Sequence, residues 1–296
     1  MNTPFFSIIT PCRNAGDKLN RTLSSVLAQT YQDYEIIVKD AGSTDGSILD
    51  MPADRRIRLV RGEDAGIYDG MNQALPLASG EYLLFLNCGD VLHDETVLER
   101  VEREIAVRRG DLPRKGRRGA AAHGTSRAEK ADAGKAPVDI SAAGIFYGDV
   151  VELQTRQHVA ANPHMTHLAM YRNLPCHQAC FYSRDLFRER GFDLQYKVRA
   201  DYEHFLWCVI QKGAPAVSMP LIVADYEGGG FSERKENEAL SAKEHEEITE
   251  RYFTKEELQR FRCYLLLTLQ PLRKKLSQSP KTAALYDRIK NRLYGR

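Results

Sequence analysis

Strand and helix signals alternate through the first hundred residues, and this alternation constrains the chain more than any other feature. FSIIT (6–10) reads as a buried strand, a short β-branched run stopped by Pro11. Leu19, Leu23, Val26 and Leu27 then recur at helical spacing, with Asp17 placed to cap. YEIIVKD (34–40) is a second strand, closed by the turn-rich AGSTDGS (41–47), and IRLVRG (57–62) a third. Tyr68, Met71 and Leu75 mark one face of a short helix that Pro76 helps to end. LLFLN (83–87) is the fourth strand, after which Asp94 can cap a helix carrying Val97, Leu98, Val101 and Ile105 on one face. Such alternation implies an α/β fold of βαβ units around a mostly parallel sheet. Ligands bind beyond the carboxyl ends of the strands in such sheets. Three polar clusters stand there, Pro11 to Asn14, Asp40 to Ser47 and Asn87 to Asp90, and are expected to converge on one crevice.

The alternation breaks at 106–143, a run of Ala, Gly, Arg and Lys with almost nothing to bury, which reads as a flexible insertion. Strand signals resume at IFYGDVVEL (145–153). ADYEHFLWCVIQKG (200–213) reads as a helix ended by Gly213, and VSMPLIVADYE (217–227) as a late strand. From Ser232 onward the pattern is helical and highly charged. The formal net charge of +2 is unevenly held: 106–143 carries +5 and 271–296 carries +7, leaving about −10 on the rest. The basic segments are either solvated surface or contacts for anionic lipid or another polyanion. No apolar run reaches the length of a membrane span, and the N-terminus lacks the charged start of a signal peptide. Six scattered cysteines suit reduced thiols in cytoplasm.

Taken in order, FFSIITPCRNAGDKLNRTLSSVLAQTYQDYEIIVKDAGSTDGS, EDAGIYDGMNQAL, LLFLNCGD, LPCHQACFYSRDLF and ADYEHFL resemble the motifs of family 2 glycosyltransferases. The resemblance covers roughly residues 5–230 apart from the insertion. It implies a GT-A nucleotide-binding sandwich over 1–230 with a mostly parallel mixed sheet, and a helical basic extension over 231–296. The chemistry implied is sugar transfer from a nucleotide-diphosphate donor, UDP by expectation, to the hydroxyl of a sugar or lipid-linked sugar. Inversion at the sugar and help from Mn²⁺ or Mg²⁺ are part of that expectation, as is synthesis of surface polysaccharide or glycoconjugate. No specific nucleic-acid partner is expected. The place implied is the cytoplasm, with peripheral contact at the inner face of the membrane.

A diphosphate leaving group needs its growing negative charge neutralised, and a hard divalent cation on oxygen ligands does this. The resemblance assigns Asp90 as metal ligand; only the last acid of the usual Asp-x-Asp cluster is present, and Asn87 can contribute an amide oxygen. Read alone, Asp90 is equally a turn or helix-cap residue. Asp40 is assigned to the base, with Pro11 and Arg13 lining the same pocket, Asn14 and Ser43 beside it, and Asp64, Asp69 and Asn72 reaching toward ribose or sugar. Tyr68 and Met71 read as core, and Cys88 as packing.

An acceptor hydroxyl must lose its proton to a general base. The family's Glu-Asp motif falls on Ala200-Asp201, giving the base to Asp201, with Glu203 as fallback and a helix cap as the plain alternative. His177 and Gln178 match a dipeptide near the acceptor, and Asp149 either reaches the sugar or makes a turn. His164, His167, Cys176, His177 and Cys180 fit no common zinc module. Leu285, Ile289 and Leu293 among basic residues form an amphipathic helix that either lies on an anionic membrane or packs on protein. The competing class is a non-catalytic polyanion- or membrane-binding protein descended from a transferase. A nucleotidyltransferase would want a Gly-rich phosphate loop at the first βα turn, which is absent.

Overall fold

The computed structural model describes residues 3–112, 143–228 and 235–267. Of the run 106–143, read as a flexible insertion, residues 106–109 are instead helical with Ala106 buried, while 113–142 and the C-terminal amphipathic segment lie outside the described residues. The chain divides into two compact units, Met1–His245 and Glu246–Arg296.

The first unit is built on one mixed sheet. Its central strand β1 (Phe6–Cys12) is buried at every residue. β2 (Tyr34–Asp40) and β4 (Tyr82–Phe85) flank it in parallel, and β3 (Ile57–Arg61) extends the parallel half beyond β2. Past β4 the direction changes. β8 (Cys180–Ser183) pairs antiparallel with β4 and β6 (Ile145–Glu152), β9 (Ala216–Tyr226) runs parallel to β6, and β5 (Val91–Leu92) closes the edge. β7 (Gln157–Val159) forms a hairpin with β6. The parallel half was legible because strands buried on both faces read as continuous apolar runs.

Alternation within β4 supplies both layers of core. Tyr82, Leu84 and Leu86 join Phe6, Phe146 and Phe181 under α1 (Asp17–Leu27) and α3 (Val97–Arg109). Phe85 faces the other way, 5.0 Å from Phe192 and 5.2 Å from Phe187 between ring centroids. α2 (Ile67–Ala74) crosses β1 and β2, and the 3₁₀ turn Leu75–Leu77 containing Pro76 ends it. α4 (His167–Arg172) and α5 (Ala200–Leu206) follow, α5 continuing into a π turn, Trp207–Gln211.

Two expected caps are placed differently. Gly16, at φ 51°, occupies the N-cap of α1, and Asp17 sits in the first turn, where its charge meets the positive helix end. Asp94 precedes the N-cap of α3, Thr96, and accepts from that residue's N–H (2.9 Å) and hydroxyl (2.7 Å). α6 (Lys235–Tyr252) is charged along its length. In the second unit, α7 (Lys255–Leu267) opens on a capping box in which Thr254 N–H donates to Glu257 Oε2 (3.0 Å) and Glu257 N–H to Thr254 Oγ1 (3.2 Å). No helix among the described residues is long and apolar enough to cross a membrane.

Candidate active site

The register pairs Cys12 with Asp40, so β1 and β2 end side by side. Asp40 is fully buried, with Oδ1 accepting from Ser43 N–H (2.9 Å) and Oδ2 from Arg61 Nε (3.0 Å). Burial pushes its carboxyl up, but these bonds outweigh it and hold the group below the ordinary carboxylate range. Asn14 takes the left-handed conformation (φ 49°), which Asn tolerates. Its N–H donates to Ser43 Oγ (2.8 Å), and its Oδ1 accepts from Thr44 N–H (2.9 Å). Pro11, Asn14, Asp40 and Ser43 therefore form one braced group, with Arg13 exposed beside it.

The α2 segment is arranged differently from expectation. Asp64 pairs with the buried Lys39 (3.4 Å) and accepts from Gly66 N–H. Asp69 accepts from Ala65 N–H (2.8 Å) and Gln73 Nε2 (3.1 Å). Asn72 exchanges two hydrogen bonds of 2.8 Å with the backbone of Phe192, and a Cβ on Gly191 would stand 2.3 Å from its Oδ1. Asp64 and Asp69 thus fold their own loop, and Asn72 anchors a distant one. Met71 is buried as expected, while Tyr68, also expected as core, is half-buried and lines the cleft with its hydroxyl on Asp201.

That cleft, of about 630 Å³, opens beyond β4. Asn87 and Asp90 line it from one wall, His177 and Gln178 from a second, and Asp201 with Tyr68 from a third. Gly89 (φ 104°) makes the turn after β4, and Thr22 of α1 fastens it by accepting from Gly89 N–H (2.9 Å) and donating to the Asp90 carbonyl (2.7 Å). The Asp90 carboxyl is raised to about 6, first by burial and further by the charge of Glu227. His177, the Glu227 N–H and Lys18 offset this only in part. Glu227 itself pairs with Lys18 and with Arg21 (2.9 Å).

A polar chain crosses the cleft. Asn87 Nδ2 donates to His177 Nε2 (2.9 Å), which leaves the other ring nitrogen, Nδ1, 3.6 Å from Asp201 Oδ2. The Tyr68 hydroxyl donates to Asp201 Oδ1 (2.8 Å). Asn87 Oδ1 is buried and has no hydrogen-bond partner among the described residues. An under-satisfied carboxylate and an orphaned amide oxygen form a hard-oxygen pair suited to a divalent cation. The described residues hold no cluster of three or more His, Cys, Asp or Glu for a metal.

Asp201 and Glu203 part company. Two residues on a helix are about 200° apart, so they cannot share a face. Glu203 is fully buried and paired with Arg190, whose guanidinium lies 4.6 Å over the Trp207 ring. Only Asp201 of the two lines the cleft. Asp149 also stands apart, accepting from Ala161 N–H (2.9 Å) and bonded to His158 (2.7 Å), where it ties β6 to the chain after β7.

One positioning residue had no sequence signal. Glu244, buried on α6, accepts from three successive N–H groups, Lys197 (2.8 Å), Val198 (3.0 Å) and Arg199 (2.9 Å), immediately before α5. Arg199 Nε in turn donates to Ser241. The start of the helix bearing Asp201 is thereby held in place.

The model of glycosyl transferase family 2 matches residues 7–110. A Mycobacterium bovis "PGL/p-HBAD biosynthesis glycosyltransferase" is 32% identical over 239 residues, 78% of this chain and 80% of the relative. The Escherichia coli "UDP-Glc:alpha-D-GlcNAc-diphosphoundecaprenol beta-1,3-glucosyltransferase WfgD" is 38% identical over 111 residues, 36% of this chain and 42% of that one. Among solved structures, the mannosyltransferase PcManGT of Pyrobaculum calidifontis, in complex with GDP-Man and Mn²⁺, superposes with a TM-score of 0.59 at 17% identity, covering 96% of this chain and 79% of that one. The fold is the GT-A type, and the chain belongs to glycosyl transferase family 2 and is a glycosyltransferase.

Proposed function

We propose that this enzyme transfers a sugar from a UDP-sugar to the hydroxyl of a lipid-linked or growing saccharide, with inversion, in polysaccharide or glycoconjugate synthesis. The observation that carries the reading is the cleft in which Asp90, His177 and Asp201 face one volume from three separate elements. Asp201 accepts the proton of the acceptor hydroxyl as its oxygen attacks the anomeric carbon from the side opposite the diphosphate. Tyr68 and His177 orient that carboxylate. Asp90 and Asn87 Oδ1 would hold Mn²⁺ or Mg²⁺, which supplies charge neutralisation for the departing diphosphate. Pro11, Arg13, Asn14, Asp40 and Ser43 form the nucleoside end. For a base to reach Asp40 Oδ2, the exposed Arg61 side chain must swing aside.

The donor class follows WfgD, whose name specifies UDP-Glc and a diphosphoundecaprenol-linked acceptor. PcManGT was solved with Mn²⁺, which supports the metal. The test is turnover of a panel of UDP- and GDP-sugars with undecaprenyl-diphosphate saccharides, with and without Mn²⁺. Asp201→Asn is expected to lower kcat by about 10²–10⁴-fold while still binding UDP. Unchanged kcat in that variant would remove Asp201 as base, and preference for a GDP-sugar would replace the donor.

A further inference from the structure

Two thiols meet at the donor end of the cleft, and the reaction has no use for either. β1 and β4 are parallel neighbours with Ile9 opposite Phe85, and Leu86 N–H donates to the Ile9 carbonyl (3.0 Å). The ladder ends at that pair: Cys12 closes β1 three residues beyond Ile9, and Cys88 stands in the turn three residues beyond Phe85. The Cys88 thiol donates across to the carbonyl of Pro11 (3.3 Å), the residue before Cys12, and the neighbouring Cys88 sulfur is the first influence on the Cys12 thiol, which lies below the ordinary thiol range. Cys12 is buried behind Cys88, which lines the cleft between Asn87 and Asp90. Both are free thiols.

We propose that Cys12 and Cys88 are a redox modification site, closing to an intramolecular disulfide when a hydroperoxide enters the cleft, and that the bond shuts the donor site. The Cys88 sulfur, which lines the cleft, attacks one peroxide oxygen, the O–O bond breaks, and the departing hydroxide takes the Cys88 proton as water, leaving Cys88 sulfenic acid. The Cys12 sulfur then attacks the sulfenyl sulfur, the S–O bond breaks, and water departs with the Cys12 proton. Two thiols are oxidised to one disulfide while hydrogen peroxide is reduced to two waters. A dithiol reductant reverses the change. The bond fixes two sulfurs at about 2.05 Å. It replaces the Cys88–Pro11 contact and draws the turn bearing Asn87 and Asp90 toward β1. The closing of the donor site, unlike the disulfide, rests on the function proposed above.

The test treats the full chain with hydrogen peroxide, blocks remaining thiols under denaturing conditions and maps the peptides by mass. A cross-linked pair joining the peptides of Cys12 and Cys88, two hydrogens lighter and restored by dithiothreitol, is expected. It should be absent from Cys12→Ser and from Cys88→Ala, so that misfolding of one variant leaves the other decisive. Recovery of both cysteines as free thiols, as separate sulfinic acids, or bridged to Cys176 would overturn the site. UDP binding to oxidised and reduced protein is read by thermal shift. Loss of the UDP-induced shift on oxidation is expected in the wild type and not in Cys12→Ser. A disulfide that forms while UDP binds equally well would overturn the closure alone, and a reduced protein that binds no UDP would overturn the donor assignment while leaving the disulfide standing.

Discussion

Asp40 and Asp90 follow strands that flank the same central strand, yet they are in opposite electrostatic states. Asp40 is the more enclosed, and its carboxyl lies below the ordinary range because Ser43 and Arg61 satisfy both oxygens. Asp90 is half-buried and raised to about 6, because His177 and one N–H do not make up for lost water and Glu227 adds repulsion. Burial alone therefore does not identify a working carboxylate; what the fold leaves unsatisfied does. At the β2 terminus the chain itself satisfies the carboxylate, and in the turn after β4 it does so only in part.

The largest effect tests that contrast directly. Asp90→Asn removes the charge and keeps the shape. Transferase activity should fall by about 10²-fold or more and lose its dependence on Mn²⁺, since that loss amounts to roughly 3 kcal/mol of transition-state stabilisation. In metal-free protein at pH 8 the same change should raise stability, by an amount on the order of 1–3 kcal/mol from the shift between 3.8 and about 6. Activity lost together with stability would show that Asp90 holds the fold rather than a ligand.

Asp40→Asn should move stability in the opposite direction. It removes a charged partner from Arg61 and should destabilise by roughly 1.5–3 kcal/mol at pH 7, the range for hydrogen bonds to charged groups. A depressed folded carboxyl contributes stability above the unfolded value, lost as pH falls through the folded one. The gap between variant and wild type in urea melts should therefore close toward pH 3. A gap unchanged at pH 3 would assign the loss to shape instead.

Glu244→Gln sharpens the acceptor side of the comparison. One carboxylate serving three N–H groups becomes one amide oxygen and an unwanted donor. Stability should drop by about 1–2 kcal/mol, and kcat about tenfold with KM for the donor unchanged, because Glu244 fixes the start of the helix that bears Asp201. Equal losses in both constants would mean a general loosening of the fold.

The strand-end geometry was legible because it is local: a run of Val, Ile and Leu closed by a turn fixes where each terminus lies. Asp40, Asp90 and Asp201 are singled out by such runs and by motif order, and the structure sets Asp90 and Asp201 on one cleft. Tyr68 was misplaced because helical spacing shows that residues share a face, not whether that face meets core or cleft. Asn72 shares its helix with Asp69, but its partner is 120 residues away. Glu244 sits in a uniformly charged helix, where no spacing distinguishes the one acid that is buried. Cys88 reads as packing and does pack on the core, but its approach to Pro11 spans 77 residues and has no local signal. What the sequence hides is pairing across long separations, which only the closed sheet brings about.

The smallest effect concerns pH, where Asp90 meets a second buried group of opposite sign. His204 is fully buried with its ring stacked 4.0 Å from that of Phe187, and burial followed by the Arg190 charge pushes it down to about 3. Between pH 6.5 and about 3 the unfolded chain binds a proton at this position that the native state refuses, so stability falls by about 1.4 kcal/mol per unit as the solution is acidified. Asp90 acts the other way between 3.8 and about 6, where the native state keeps a proton that the unfolded chain has released. In metal-free wild type the two slopes offset over that window. Urea melts of His204→Phe between pH 4 and 6 should therefore gain stability on acidification, and those of Asp90→Asn should lose it more steeply than wild type. If neither variant changes the slope, the raised acid and the depressed histidine are both refuted. If His204→Phe alone changes it, Asp90 titrates as an ordinary carboxylate and its difference from Asp40 disappears.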